Sequence, residues 1–370
     1  MSTETIKPYD TETPIEIPLE VRDSMALYSG RVNRVLAERI AKLLGIALGD
    51  MKIWEFPNGE TFAKHRESLR GKDVYFINPI TWSPRPDDLM GNRILTPSDA
   101  LVETLIAIRA LRESTCKSIN AVIPYMGWSR SDKTDQPHIA IIAKLVADLL
   151  EIAGISRSIH MDLHAPQIKG FFKPGTVDHI FSSYVLVPFI ESFIKENHLD
   201  NVVIASPDSG GAERARKMAQ FLNAGMAMGD KRRQNNQGGE IMNVIGDVRS
   251  KNVFIWDDVI ATGGTLIKFA QALKALGAAH VYAVAVHGGF DGEAMKKLEE
   301  SPIEKIFVTD TMPIQYKKKF KNDDGIIVES QKIKEVSVAR LLAEVIVQLQ
   351  TDGSCSKMFL DETTQTQKYL

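Results

Sequence analysis

Cysteine is nearly absent: Cys116 and Cys355 are the only two in 370 residues. They are too few and too far apart for a disulfide framework or a cysteine zinc site, which suits a reducing compartment and makes the cytoplasm the expected location. No apolar run is long enough to span a bilayer. The N-terminus alternates acids, threonines and prolines and lacks the apolar core of a signal peptide, so no membrane association is expected. A net charge of -2 leaves no global basic field, which argues against a nucleic-acid partner, and there is no acidic tail. Short-period repeats of the solenoid kind are missing too. What is present is ordinary globular material, 44% hydrophobic and 25% charged, enough for one large or two medium domains with real cores.

Apolar strand-like runs alternate with amphipathic helix-like segments almost throughout. Residues 74–77, 121–123, 158–161, 202–205, 253–256 and 280–286 read as strands, and 98–112, 139–153, 211–222 and 266–276 as helices. Alternating βα units predict an α/β fold of mostly parallel sheets flanked by helices. A boundary near Phe181 divides the chain into domains of residues 25–181 and 182–334. A helix at about 335–350 is expected to pack back on the first. Residues 1–24 form a flexible or surface-bound extension, residues 351–370 a polar tail, and the proline-rich stretch 83–97 a surface loop longer than a usual connection. Ligands in open parallel sheets sit at the carboxyl ends of strands, and here those ends carry the polar residues.

The run 253–256 ends in the adjacent carboxylates Asp257 and Asp258. A turn, Ala261, Thr262, Gly263, Gly264 and Thr265, then opens a helix. Unpaired amides and the helix dipole equip such a turn to hold a phosphate, and the two carboxylates beside it can accept hydrogen bonds from sugar hydroxyls. Two other strand ends lead into His164 and Asp208. Either side chain can contact a Mg2+–triphosphate directly or through water, but each also has a plain structural reading, a packed histidine and a cap for the helix near Gly211. Lys231, Arg232 and Arg233 open a polar stretch ending at Gly239. It reads as a solvated loop or as a flap that neutralises a polyphosphate, and the two are compatible. Phe56, Asn58, Gly59 and Glu60 offer a ring, an amide and a carboxylate that could hold an adenine, or form a simple turn. Arg130, followed by Ser131, could bind a phosphate bidentately or be a surface cation.

Taken in order, these segments resemble the ribose-phosphate pyrophosphokinase (PRPP synthase) family over about residues 27–349. The resemblance rests on FPNGE (56–60), RGKDV (70–74), PYMGWSRSD (124–132), MDLHAPQIKGFF (161–172), SPDSGG (206–211), DKRR (230–233), DDVIATGGT (257–265), HGGF (287–290) and VTDT (308–311). It implies two phosphoribosyltransferase-like domains, and a reaction moving the β,γ-diphosphoryl group of Mg2+–ATP onto O1 of ribose 5-phosphate with release of AMP. By motif it assigns Lys231 and Arg233 to transition-state stabilisation and His164 and Asp208 to Mg2+. ATP falls to Phe56, Asn58, Gly59, Glu60, Arg130 and Ser131, and ribose 5-phosphate to Asp257, Asp258 and the turn Ala261–Thr265. It further implies a homo-oligomer, a dimer at least and commonly a hexamer, with the FPNGE turn reaching a neighbouring subunit's site.

The chain departs from the family pattern at Ser131, where glutamine is usual, at His138 and Ala140 in place of arginine and proline, and at Ala261, where many members carry aspartate. The stretch 83–97 and the N-terminal extension are also atypical. These departures bear on regulation and assembly more than on chemistry. Two alternatives stand: a catalytically silent regulatory homologue, kept open by Ser131 and Ala261, and a phosphoribosyltransferase that consumes PRPP, which shares the DDVIATGGT loop. The second needs neither the MDLH segment nor the DKRR flap.

Overall fold

The computed structural model describes residues 12–84, 94–134, 136–233 and 240–355, with side chains left aside at 231–233 and 240–242. Expectations for residues 1–11, 85–93, 234–239 and 356–370 lie outside the described residues. The described chain forms two compact units, residues 12–179 with 339–355, and residues 180–338.

The first unit is built on a five-stranded sheet with strands in chain order: β1 (Met25–Ser29), β2 (Asp73–Ile77), β3 (Ser118–Val122), β4 (Arg157–Met161) and β5 (Val177–Ile180). The first four run parallel. Strand β2 is buried at every position, as expected of a parallel strand covered on both faces. Its helices carry readable ends. Asn33 accepts the Leu36 N–H at the start of Arg34–Leu44, which stops at Gly45 in the left-handed conformation. Thr96 and Asp99 form a reciprocal capping box on Pro97–Arg112, with Pro97 in its first turn. The helix Ala339–Gln350 packs on Arg34–Leu44, and its Gln350 Nε2 donates to Asp73 Oδ2 at 3.0 Å.

From Glu12 the extension is bound to the first unit, the second of the two forms expected for it: Ile15 N–H donates to Leu43 O at 2.7 Å, Ile17 is buried, and Leu19–Asp23 is a short helix. Burial of Ile17 supplies the apolar contact that a flexible arm would lack. The stretch 83–97 is not a surface loop at its ends, because Ser83 and Pro84 pair antiparallel with Leu95 and Ile94, and Ser83 and Leu95 are buried.

The second unit contains a seven-stranded sheet. Its strands are β6 (Val202–Ser206), β7 (Gly225–Arg233), β8 (Glu240–Ile245), β9 (Asn252–Ile260), β10 (His280–Gly288), β11 (Ile306–Thr309) and β12 (Ile333–Val336), in the spatial order β8-β7-β6-β9-β10-β11-β12. Only β7 and β8 pair antiparallel; the other neighbours are parallel. From β6 the chain moves outward to β7 and β8, then returns to the other side of β6 with β9. That reversal opens a crevice beyond the carboxyl ends of β6 and β9, the place where such sheets bind ligands. Among the described residues no helix is long and apolar enough to cross a membrane.

Candidate active site

Strand β9 is longer than its apolar run. Main-chain pairing with β10 continues through Asp257↔Ala285, Val259↔His287 and Ile260↔Gly288. The acid pair therefore lies inside the strand rather than beyond its end, because the ladder depends on backbone groups and not on apolar side chains. Asp258 is buried and Asp257 half-buried. The Asp258 N–H donates to Asp257 Oδ1 at 2.8 Å. Burial, and then the neighbouring charge of Asp258, push the Asp257 carboxyl above the usual carboxylate range.

After Ile260 the turn passes through Gly263 in the left-handed conformation (φ 72°), and the helix Gly264–Ala275 begins two residues earlier than the apolar pattern suggests. The carbonyl of its N-cap residue, Gly263, accepts from the Ile267 N–H at 2.9 Å. The amides of Gly264, Thr265 and Leu266 precede that bond and have no acceptor within the helix, which equips this turn to receive an anion. The turn and the acid pair are thus consecutive on one strand end at the switch point.

Sequence reasoning missed Arg214. Its Nη1 lies 3.5 Å from Asp258 Oδ1 and 4.0 Å from Asp257 Oδ1. Arg214 sits in the first turn of the helix Ala212–Phe221. A cation there opposes the helix dipole, and that mismatch was the available signal. At the end of the adjacent β6, Ser206 Oγ donates to Asp208 O at 2.7 Å and the Gly211 N–H donates to Asp208 Oδ1 at 3.2 Å. A Cβ at Gly211 would fall 2.6 Å from Ser206 Oγ, so the turn is tight. Asp208 thus braces the turn that leads into the helix Ala212–Phe221, whose N-cap is Gly211 and which has no side-chain cap.

Lys231, Arg232 and Arg233 are not in a loop. Their backbone is the end of β7, paired with β8 through Lys231↔Met242 and Arg233↔Glu240. The sequence signal failed because this edge hairpin is not selected by an apolar face. The last β6–β7 pair is Ser206↔Met228, so all three cationic residues lie beyond it on the projecting arm.

In the first unit, Phe56–Glu60 forms the turn of a hairpin between Met51–Glu55 and Thr61–His65. Phe56 N–H donates to Glu60 O at 2.9 Å, Gly59 N–H to Phe56 O at 2.8 Å, and Glu60 N–H to Asn58 Oδ1 at 3.1 Å. Gly59 has φ 90°, a conformation glycine adopts without strain. Phe56 is exposed and packs with the exposed rings of Trp54 and Phe62, at 6.2 and 5.9 Å between centroids. Arg130 is exposed after β3. Ser131 supports the helix Ile142–Ala153, its carbonyl accepting from Ala143 N–H at 3.1 Å and its Oγ donating to Ala140 O at 3.3 Å. His164 is exposed after β4, next to Leu163, whose N–H donates to His179 Nε2 at 3.0 Å. His164 and Asp208 belong to different units.

A mostly parallel sheet with an acid pair and a glycine turn at its switch point defines a phosphoribosyltransferase-like α/β protein. Residues 25–154 match the N-terminal domain of ribose phosphate pyrophosphokinase, and residues 233–360 match the phosphoribosyl synthetase-associated domain. A ribose-phosphate pyrophosphokinase of Wolinella succinogenes is 41% identical over 334 residues, 90% of this chain and 98% of the relative. Another, from Caldanaerobacter subterraneus, is 40% identical over 337 residues, covering 91% and 98%. The crystal structure of phosphoribosylpyrophosphate synthetase from Mycobacterium smegmatis superposes with a TM-score of 0.76 at 32% identity, covering 89% of this chain and all of that one. The chain belongs to the ribose-phosphate pyrophosphokinase family.

Proposed function

We propose that this chain transfers the β,γ-diphosphoryl group of ATP to O1 of ribose 5-phosphate, yielding PRPP and AMP. The observation that carries this reading is the anion-binding turn Ala261–Thr265 following Asp257 and Asp258 on one strand end. The sugar phosphate sits on the leading amides of that helix, and the acid pair accepts hydrogen bonds from the sugar hydroxyls. Arg214 helps keep the pair charged, since a nearby cation favours the carboxylate form. The sugar O1 attacks the β-phosphorus in line. The new O1–P bond replaces the bond from the β-phosphorus to the bridging oxygen, which departs with AMP, and the O1 proton is released.

Lys231 and Arg233 neutralise charge as it spreads over the transferred group and the leaving group, the main demand of phosphoryl transfer. Phe56 stacks on adenine, Asn58, Gly59 and Glu60 meet its edge, and Arg130 and Ser131 hold the phosphates. The exposed rings beside Phe56 support a homo-oligomer, a dimer at least, in which this hairpin serves a neighbouring copy. Cys116 and Cys355 are unbridged, in keeping with a cytoplasmic enzyme.

Asp208 supplies a carboxylate and His164 an imidazole. Each by itself is a donor suited to a hydrated Mg2+ that takes most of its oxygens from ATP. When bound, Mg2+ would supply positive charge that neutralises the phosphates. The test is AMP formation by the purified chain with Mg2+, ATP and ribose 5-phosphate, each omitted in turn. AMP and PRPP arising only with all three supports the reading. A folded chain that binds ATP without turnover favours the regulatory homologue.

A further inference from the structure

Lys317 is only 1% exposed, at the end of the short helix Ile314–Lys317. Burying an ammonium is costly unless it is well bonded, and burial pushes this one well below the ordinary lysine range, with Asp291 acting in the opposite sense. Its Nζ donates to the Gly289 carbonyl at 3.0 Å. Gly289 lies just past the end of β10, and the next two residues are bonded to the backbone entering the phosphate turn. Phe290 N–H donates to Ile260 O, and Asp291 N–H donates to Ala261 O, both at 3.0 Å. Little slack exists in this loop. Phe290 is buried in the left-handed region at φ 47°, and a Cβ on Gly288 would fall 2.6 Å from Ile314 Cδ1. The loop 288–291 is held between the helix of Lys317 and residues 260–261.

We propose that Lys317 is a positioning residue for the acceptor site: bonded to the Gly289 carbonyl, it presses residues 289–291 against Ile260 and Ala261 and thereby sets the start of the Ala261–Thr265 turn. This rests on the reading of that turn as the ribose 5-phosphate site. Replacing this lysine by an apolar side chain leaves the Gly289 carbonyl without its donor, so a loss of stability is expected beside any effect on the ligand loop.

Steady-state kinetics of full-length Lys317→Met tests this. The expected result is a KM for ribose 5-phosphate raised about tenfold, from loss of a charge-assisted bond that acts through the loop. The KM for ATP should stay within about twofold, a split between the two substrates that a general loss of stability does not produce. A KM for ribose 5-phosphate unchanged from wild type overturns the proposal. Should Lys317→Met fail to fold, amide exchange in the wild-type protein decides. Ribose 5-phosphate should slow exchange at Phe290 and Asp291, and no slowing overturns it. Asp258→Asn separates the two levels. If that variant keeps the wild-type KM for ribose 5-phosphate, the site reading falls and the proposal with it. If Asp258→Asn raises the KM while Lys317→Met does not, only the role of Lys317 is lost.

Discussion

Arg214 Nη1 stands 3.5 Å from Asp258 Oδ1, so a cation from the helix after β6 is paired with a carboxylate of β9 across the switch point of the sheet. Arg214 also opposes the upward shift of the Asp257 carboxyl. Arg214→Gln should therefore raise the Asp257 pKa further, and the KM for ribose 5-phosphate should climb more steeply than in wild type as pH falls through neutrality. Parallel pH profiles of KM for the two proteins check this. Superimposable profiles would remove Arg214 from the site.

The backbone of Lys231 lies on β7 beyond its last pair with β6, and the proposed reaction assigns this residue to the charge developing on the diphosphoryl group. Lys231→Ala should lower kcat by roughly 10²–10³-fold with little change in the KM for ATP, because the contact strengthens in the transition state. Near wild-type turnover would refute the assignment.

Gly263 carries the turn into the helix at φ 72°, and a Cβ there would lie 3.3 Å from Leu298. Gly263→Ala should cost about 1–2 kcal/mol of stability through the left-handed backbone alone. The KM for ribose 5-phosphate should rise as the leading amides shift. Denaturant titration and kinetics on the same preparation read both effects.

His160 is fully buried between Ile123 O, 3.1 Å from its Nδ1, and Ser158 Oγ, 2.8 Å from its Nε2. A carbonyl can only accept, so Nδ1 carries the proton and Nε2 accepts from the serine; the neutral ring is satisfied. Burial depresses its pKa from 6.5 to about 3. The unfolded chain then binds the extra proton between those values, so the stability contributed by neutral His160 is complete above the unfolded pKa and is lost as pH falls toward the folded one. The slope from this group is about 1.4 kcal/mol per pH unit inside that window. His160→Gln should flatten the wild-type stability profile between about pH 6 and 4, as measured by denaturant unfolding at a series of pH values. An unchanged slope would contradict the buried neutral ring.

The parallel architecture was legible because strands buried on both faces, such as β2, read as unbroken apolar runs, and because helix starts such as Thr96–Asp99 carry local capping chemistry. The acid pair and glycine turn were legible as chemistry, while their placement inside β9 was not, since side-chain polarity says little about where a backbone ladder ends. The cations of β7 looked like a loop for the same reason. Arg214 and Lys317 are a different matter. Their meaning comes from contacts with Asp258, more than 40 residues away, and with the Gly289 carbonyl, and local pattern encodes neither.

The most direct measurement uses ATP labelled at the β-phosphorus, with ribose 5-phosphate and Mg2+. Transfer of an intact diphosphoryl group predicts all converted label in PRPP and an unlabelled AMP. Label in ADP, with a singly phosphorylated C1 of the sugar, would mean γ-phosphoryl transfer and would contradict the account.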